Sequence, residues 1–170
     1  MNNRHAVVDT AFGELTLVAS DEALIGLYFP HHWVKPERAL LGEEVAVDTD
    51  VLLSEAARQL EQYLAGERTT FDLPIELSGD EFQRRVWALL DEIPFGETTT
   101  YGQLADQLGD KSLAQPVGQA VGQNPVSIIV PCHRVVGKNG KLTGYAGGLK
   151  RKQALLELEE PAAVKADRLF

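Results

Sequence analysis

Ser127-Ile128-Ile129-Val130-Pro131-Cys132-His133-Arg134-Val135-Val136 constrains this chain more than any other stretch: an apolar run delivers the only cysteine, just after a proline and next to a histidine. Ile128 to Val130 read as a short buried strand or extended segment, and Pro131 biases Val130 toward an extended conformation. Cys132 is therefore expected where the chain turns sharply out of a rigid core element, a good mount for a nucleophile. The competing reading is an inert structural cysteine in apolar surroundings. His133, Arg134 and the Gly137-Lys138-Asn139-Gly140-Lys141 turn favour reactivity, because cationic and polar groups beside a thiol lower its pKa. In a regular strand the side chain of His133 would point away from that of Cys132, so adjacency in sequence does not establish a pair.

A single cysteine forbids an internal disulfide and a cysteine-based zinc site, which makes a reducing cytoplasm the expected compartment. His5, His31, His32 and His133 are too scattered for another metal site, and His31-His32 reads as a solvated loop. No apolar stretch approaches the length of a membrane span, and Met1 to Asp9 lacks the long apolar core of a secretory signal. There is no P-loop and no GxGxxG fingerprint, so no nucleotide cofactor is expected. The net charge of -9 would disfavour a polyanionic partner, but its distribution reverses that inference. Residues 1 to 80 carry five Lys or Arg against fifteen Asp or Glu, whereas residues 81 to 170 carry eleven against ten. Arg134, Lys138, Lys141, Lys150, Arg151 and Lys152 gather around the cysteine segment with no acidic residue between positions 111 and 156. Binding follows the local field, so this cluster is either a nucleic-acid patch or a solvated turn.

The periodicity predicts two domains, residues 1-78 and 79-170. Alternating runs from Ala6 to Phe29 predict a small antiparallel sheet, residues 30 to 50 a loop, and Leu52, Leu53, Ala56, Leu60, Tyr63 and Leu64 one face of a helix. Phe71 to Leu77 reads as another strand. Ser78 and Glu81 have capping-box spacing ahead of a helix with Phe82, Val86, Leu89, Leu90 and Ile93 on its apolar face. Two short helices follow, from Thr100 and from about Leu113 to Gln123, across a Gly109-Asp110-Lys111-Ser112 turn, in the layout of a helix-turn-helix. The second is small-sided: Gly118 and Gly122 suit close approach of a partner backbone, or tight packing inside the protein. Lys150 to Glu159 reads as a closing helix, and Pro161 onward as a tail.

Val130-Pro131-Cys132-His133-Arg134-Val135 followed by Gly144-Tyr145-Ala146-Gly147-Gly148 resembles the O6-alkylguanine-DNA alkyltransferases. The resemblance runs from about Phe82 to Glu159 and includes Pro94-Phe95-Gly96-Glu97-Thr98 and Thr100-Tyr101-Gly102-Gln103-Leu104-Ala105. It implies an α+β fold, with a sheet-plus-helix amino-terminal domain of ribonuclease H-like layout and a mostly helical carboxy-terminal DNA-binding domain. The implied activity is repair without a cofactor: an alkyl group on O6 of guanine, and by the same chemistry O4 of thymine, passes irreversibly to the protein's own cysteine. The implied partner is double-stranded DNA, entered from the minor groove by a monomer, with cooperativity along DNA left open.

By family correspondence Cys132 is the nucleophile, His133 takes its proton through a water, and Glu159 orients the imidazole. Tyr101 helps extrude the target nucleotide and donates a hydrogen bond to the departing guanine, and Asn124 is the hinge before the cysteine segment. Tyr145 and Ala146 would offer backbone N-H groups near O6, while Val135 would help read the exocyclic amine. Arg134 and Lys152, with Gly118 and Gly122 of the small-sided helix, complete the expected DNA-facing set. Outside the motif, Glu159 would read as a solvated charge, Tyr101 as a core anchor and Asn124 as a helix cap. One departure stands out: the family's Ala-Arg-Ala-Val-Gly is here Ala114-Gln115-Pro116-Val117-Gly118. Gln115 takes the place of the arginine that fills the gap left by the flipped base. A glutamine can hydrogen-bond the orphaned base but brings no charge and no cation-π stack. A lesion-binding protein with little or no transfer is the alternative this substitution leaves standing.

Overall fold

The computed structural model describes residues 3-30 and 38-160. The expectations for His31-His32 and for the tail after Pro161 lie outside these residues. Contacts divide the chain into two compact units, Met1–Ser78 with Pro125–Ile129, and Gly79–Asn124 with Val130–Phe170. Among the described residues no helix is long and apolar enough to cross a membrane.

In the first unit, β1 (Arg4–Thr10), β2 (Gly13–Ala19) and β3 (Leu24–Tyr28) form an antiparallel meander. The first hairpin closes because Gly13 adopts φ 95°, and because the Thr10 hydroxyl accepts from the Phe12 amide (3.0 Å) and donates to the Gly13 carbonyl (2.8 Å). Part of the expected loop is ordered instead. A one-turn helix, α1 (Arg38–Leu41), leads to β4 (Glu43–Glu44), which pairs in parallel with β1 and gives the sheet order β3-β2-β1-β4. α2 (Val51–Leu64) buries Leu53, Ala56, Leu60 and Tyr63 against the sheet. Asp50 caps it by accepting from the Leu53 amide at 2.9 Å and is paired with Arg4.

Phe71 to Leu77 does not become a strand. Only Ile75 bridges Leu24, and the reasons lie in the backbone donors. Pro74 has none to give, and the Asp72 amide donates to the Gln59 side chain at 2.8 Å while Gln59 returns a bond to the Asp72 carbonyl at 3.0 Å.

The second unit is helical. α3 (Glu81–Asp91) starts two residues later than the Ser78 box suggests: Asp80 is the cap and Gln83 closes the capping box. Its core face is Val86, Trp87 and Leu90. β5 (Thr99–Thr100) runs straight into α4 (Tyr101–Gln107), capped by Thr100 and Gln103. Gly109, at φ 97°, ends α4, and a 3-10 turn over Lys111–Leu113 opens α5 (Ala114–Gly122). α5 packs against α3 and α4 through Val117, Ala120 and Val121, and the Trp87 indole donates to the Ala120 carbonyl at 2.8 Å. The helix-turn-helix expected from the sequence is thus present. β6 (Val135–Val136) pairs in parallel with β5, and α6 (Leu149–Glu159) closes the unit.

Candidate active site

Cys132 is not mounted on a strand. Ile128, which is 1 % exposed, has φ 71°, a region that a β-branched residue enters only at a cost on the order of 1–3 kcal/mol. The Ile129 amide donates to the Ser127 carbonyl at 2.8 Å around it, a three-residue turn. A second follows at once. Pro131, at φ -82° and ψ 65°, centres an inverse γ-turn in which the Cys132 amide donates to the Val130 carbonyl at 2.8 Å. The buried Asn124 side chain donates to that same carbonyl at 2.8 Å, so the approach to the cysteine is tied to the end of α5.

Cys132–Arg134 then form one 3-10 turn, which removes the argument that neighbouring side chains must diverge. His133 is fully buried. Its Nε2 lies 2.8 Å from Glu159 Oε2. A carboxylate can only accept, so Nε2 carries the proton and Nδ1, which has no protein hydrogen-bond partner, presents its lone pair. Burial holds the pKa of His133 below the ordinary histidine value, against the opposing pull of the Glu159 carboxylate. The imidazole is neutral at neutral pH.

Arg134 explains how a buried Glu159 stays charged. Its Nε donates to Oε1 at 2.8 Å and its Nη2 to Oε2 at 2.9 Å, while Nη1 donates to the Ile93 carbonyl at 2.6 Å. The Phe95 ring lies 5.8 Å from the guanidinium carbon. Three of the five guanidinium N–H donors are thus committed inside the unit. Arg134, expected in the DNA-facing set, is directed toward Glu159 and the Ile93 carbonyl. Lys152, expected in the same set, is also directed inward. It is fully buried, its Nζ donates to the Thr143 carbonyl at 2.9 Å, and burial lowers its pKa to about 8, opposed by the charge of an ionised Cys132. Of the expected cation cluster, Lys138, Lys141 and Lys150 remain exposed.

Tyr101, at the start of α4, is half-buried. Its hydroxyl accepts from Thr143 Oγ1 at 3.0 Å, and burial raises its pKa, so the phenol keeps its proton. Thr143 thereby joins Lys152 of α6 to Tyr101 of α4. Nothing in the sequence pattern singled it out. Gly118 lies along the Tyr101 ring, where an added Cβ would sit 3.7 Å from the ring edge; Gly122 is on the same helix one turn on. Gln115 is exposed in the first turn of α5. Val135, Tyr145 and Ala146 are buried around the cysteine segment, and the Gly144 to Gly148 loop turns back through a bond from the Gly148 amide to the Tyr145 carbonyl at 2.9 Å.

This geometry holds a sulfur, a neutral imidazole oriented by a paired carboxylate, and a phenol that can donate. Residues 81–161 match the DNA-binding domain of the 6-O-methylguanine DNA methyltransferases, and residues 3–77 match the ribonuclease-like domain of the same family. A methylated-DNA–protein-cysteine methyltransferase of Mycolicibacterium paratuberculosis is 47% identical over 166 residues, covering 98% of each chain. One from Methanosarcina acetivorans is 43% identical over 155 residues, covering 91% of this chain and 97% of its own. Among solved structures, Mycobacterium tuberculosis OGT in complex with DNA superposes with a TM-score of 0.83 at 43% identity, covering 95% of this chain and 97% of that one.

Proposed function

This chain belongs to the 6-O-methylguanine DNA methyltransferase family, and from that premise we propose that it repairs DNA by moving the alkyl group of O6-alkylguanine onto Cys132. The sulfur attacks the alkyl carbon, a carbon–sulfur bond forms, and the carbon–O6 bond breaks with its electron pair left on the guanine. The thiol proton passes through one water to Nδ1 of His133. Tyr101 donates a hydrogen bond to the guanine as it gains charge. The observation that carries this reading is the relay itself: a buried, neutral His133 with its proton fixed on Nε2 by Glu159 and its lone pair left on Nδ1, in the residue next to the only cysteine.

The product is a thioether, whose carbon–sulfur bond thiol exchange does not cleave, and this chemistry supports a single turnover per molecule. O4-alkylthymine offers the same alkyl–oxygen bond and falls within the proposed substrate class. The protein acts as a monomer in the cytoplasm, reaching the lesion from the minor groove with the helix-turn-helix of α4 and α5, and Asn124 serves as the hinge between α5 and the cysteine segment. The division of the catalytic domain at residue 79 belongs to the same proposal. Lesion binding without transfer is the rival, and it rests on Gln115; the buried relay around Cys132 favours chemistry.

Intact-mass measurement after incubation with a duplex carrying O6-methylguanine tests the reading. One added methyl group, absent in Cys132→Ala, is expected. Binding of the duplex with no mass change in the wild type would leave the lesion-binding rival in its place.

A further inference from the structure

The solvent face of α5 carries no charge. Val117, Ala120 and Val121 are buried, and at 3.6 residues per turn this directs Gln115 and Gln119 to the opposite side, one turn apart, with Gly118 and Gly122 beside them. Gln115 and Gln119 are both exposed, and Gln123, just past the helix, accepts from the Gln83 side-chain amide at 2.6 Å. The helix-turn-helix itself does not make up the difference. From Glu97 to His133 the one cation, Lys111, faces three carboxylates, Glu97, Asp106 and Asp110. Asp110 is held in its ionised form by the Ser112 hydroxyl and amide. Arg134 and Lys152, which could have supplied charge from behind, are spent inside the unit. With two carboxylates, Asp106 and Asp110, against one ammonium, the helix-turn-helix gains little from releasing phosphate counterions.

We propose that the helix-turn-helix of this protein reads DNA through the amides of Gln115 and Gln119, while the exposed Lys138, Lys141 and Lys150 supply the electrostatic hold on the phosphates. The proposal rests on the DNA-repair function given above and adds its mode of recognition. Each glutamine amide presents a donor and an acceptor together, which suits groove edges where adenine N3 and thymine O2 accept and guanine N2 donates. Affinity and salt dependence are thereby assigned to different elements, and each can be removed without the other.

The test is equilibrium binding to a duplex carrying O6-methylguanine across a range of KCl concentrations, in a Cys132→Ala background that prevents reaction. Gln115→Ala with Gln119→Ala is expected to weaken binding by about tenfold or more with no change in the slope of log affinity against log salt. Lys138→Ala with Lys141→Ala is expected to flatten that slope by about 0.9 for each phosphate that the lysines no longer neutralise. Gln119→Lys adds a cation on the face and is expected to steepen the slope. The proposal is overturned if the double glutamine variant binds within twofold of its parent, or if its loss of affinity comes with a flatter slope. Circular dichroism shows whether the variants stay folded, and all of the substituted glutamines and lysines are exposed. The mass gain of the wild type is read in parallel. Its absence would remove the transfer reaction, while the binding comparison would still decide the role of the glutamines.

Discussion

Arg134 grips both carboxylate oxygens of Glu159, from Nε at 2.8 Å and from Nη2 at 2.9 Å, in a site where Glu159 is 2 % exposed. The carboxylate that orients His133 is therefore itself held in place and kept ionised. Removing one partner of a buried ion pair strands the other, at a cost on the order of 3–5 kcal/mol. Arg134→Met is expected to lower stability by about that much in urea unfolding. It is also expected to raise the pH needed for methyl transfer, because an unpaired Glu159 protonates more readily and no longer fixes the tautomer of His133. Arg134→Lys, which supplies a single point charge in place of a fork, should recover part of the stability and part of the pH profile. A variant that loses stability while its pH–rate profile stays at the wild-type position would confine Arg134 to a packing role.

His133 is expected to titrate below the usual histidine value of 6.5, since burial outweighs the attraction of Glu159. Between that depressed value and 6.5 the unfolded chain binds a proton that the folded chain does not. The His133 contribution to stability is therefore lost as pH falls through this window, while the imidazole remains a competent base within it. Ring-proton shifts followed by NMR against pH check the first point, and single-turnover rates over the same range check the second.

Lys152 has the same sign at the other end of the scale. Its folded pKa of about 8 lies below the ordinary lysine value of 10.5, so between the two the unfolded chain holds more protons. Stability from this group rises as pH climbs through that window. Lys152→Met should lack that rise, so the stability difference between wild type and variant should shift in favour of the wild type as pH climbs from about 8 toward the ordinary lysine value. A difference independent of pH would mean that the buried amine does not titrate there.

Gln115→Arg is expected to speed reaction with duplex DNA by roughly three- to tenfold, because an arginine can fill the space of an extruded base and stack on its orphaned partner. Free O6-benzylguanine needs no extrusion and should react at nearly the wild-type rate. Pro116 constrains the first turn of α5, so Gln115→Arg with Pro116→Ala belongs in the same comparison. If the wild type matches both variants on the duplex, Gln115 already fills the gap adequately.

Periodicity made the helices legible, while the Ser78 and Glu81 capping signal pointed two residues too early. Val86 and Leu90 at helical spacing carry local information that the fold keeps, whereas Ile93 falls just past the end of α3. The cysteine segment was legible as a site and misleading as a shape. Ser127 to Val130 has the composition of a strand, yet a positive φ at Ile128 is set by packing, which no local pattern reports. Arg134 and Lys152 show a related limit. A run of cations in sequence has no sign of direction, and both side chains turned inward to meet a carboxylate and a carbonyl distant in the chain. Thr143 could not be found at all, because its bond to Tyr101 spans 42 residues and needs only a hydroxyl, the least distinctive of polar groups.

Pro125–Ile129 breaks the order of the chain: it belongs with the first unit, where the Leu27 amide donates to the Pro125 carbonyl at 2.9 Å and Val126 bridges Leu27, before the backbone returns to the second unit and reaches Cys132. The half that bears the nucleophile is thus not an independent cassette. A fragment beginning at Gly79 would keep Val126 and Ile128, both buried here, but lose the β3 edge on which this peptide is seated. It would expose apolar surface next to its own reactive centre and be prone to self-association. Exchange of amino-terminal halves between relatives would be tolerated only where the incoming sheet offers a seat at the position of Leu27, which ties the evolution of a distant strand to the shape of the turn that presents the sulfur.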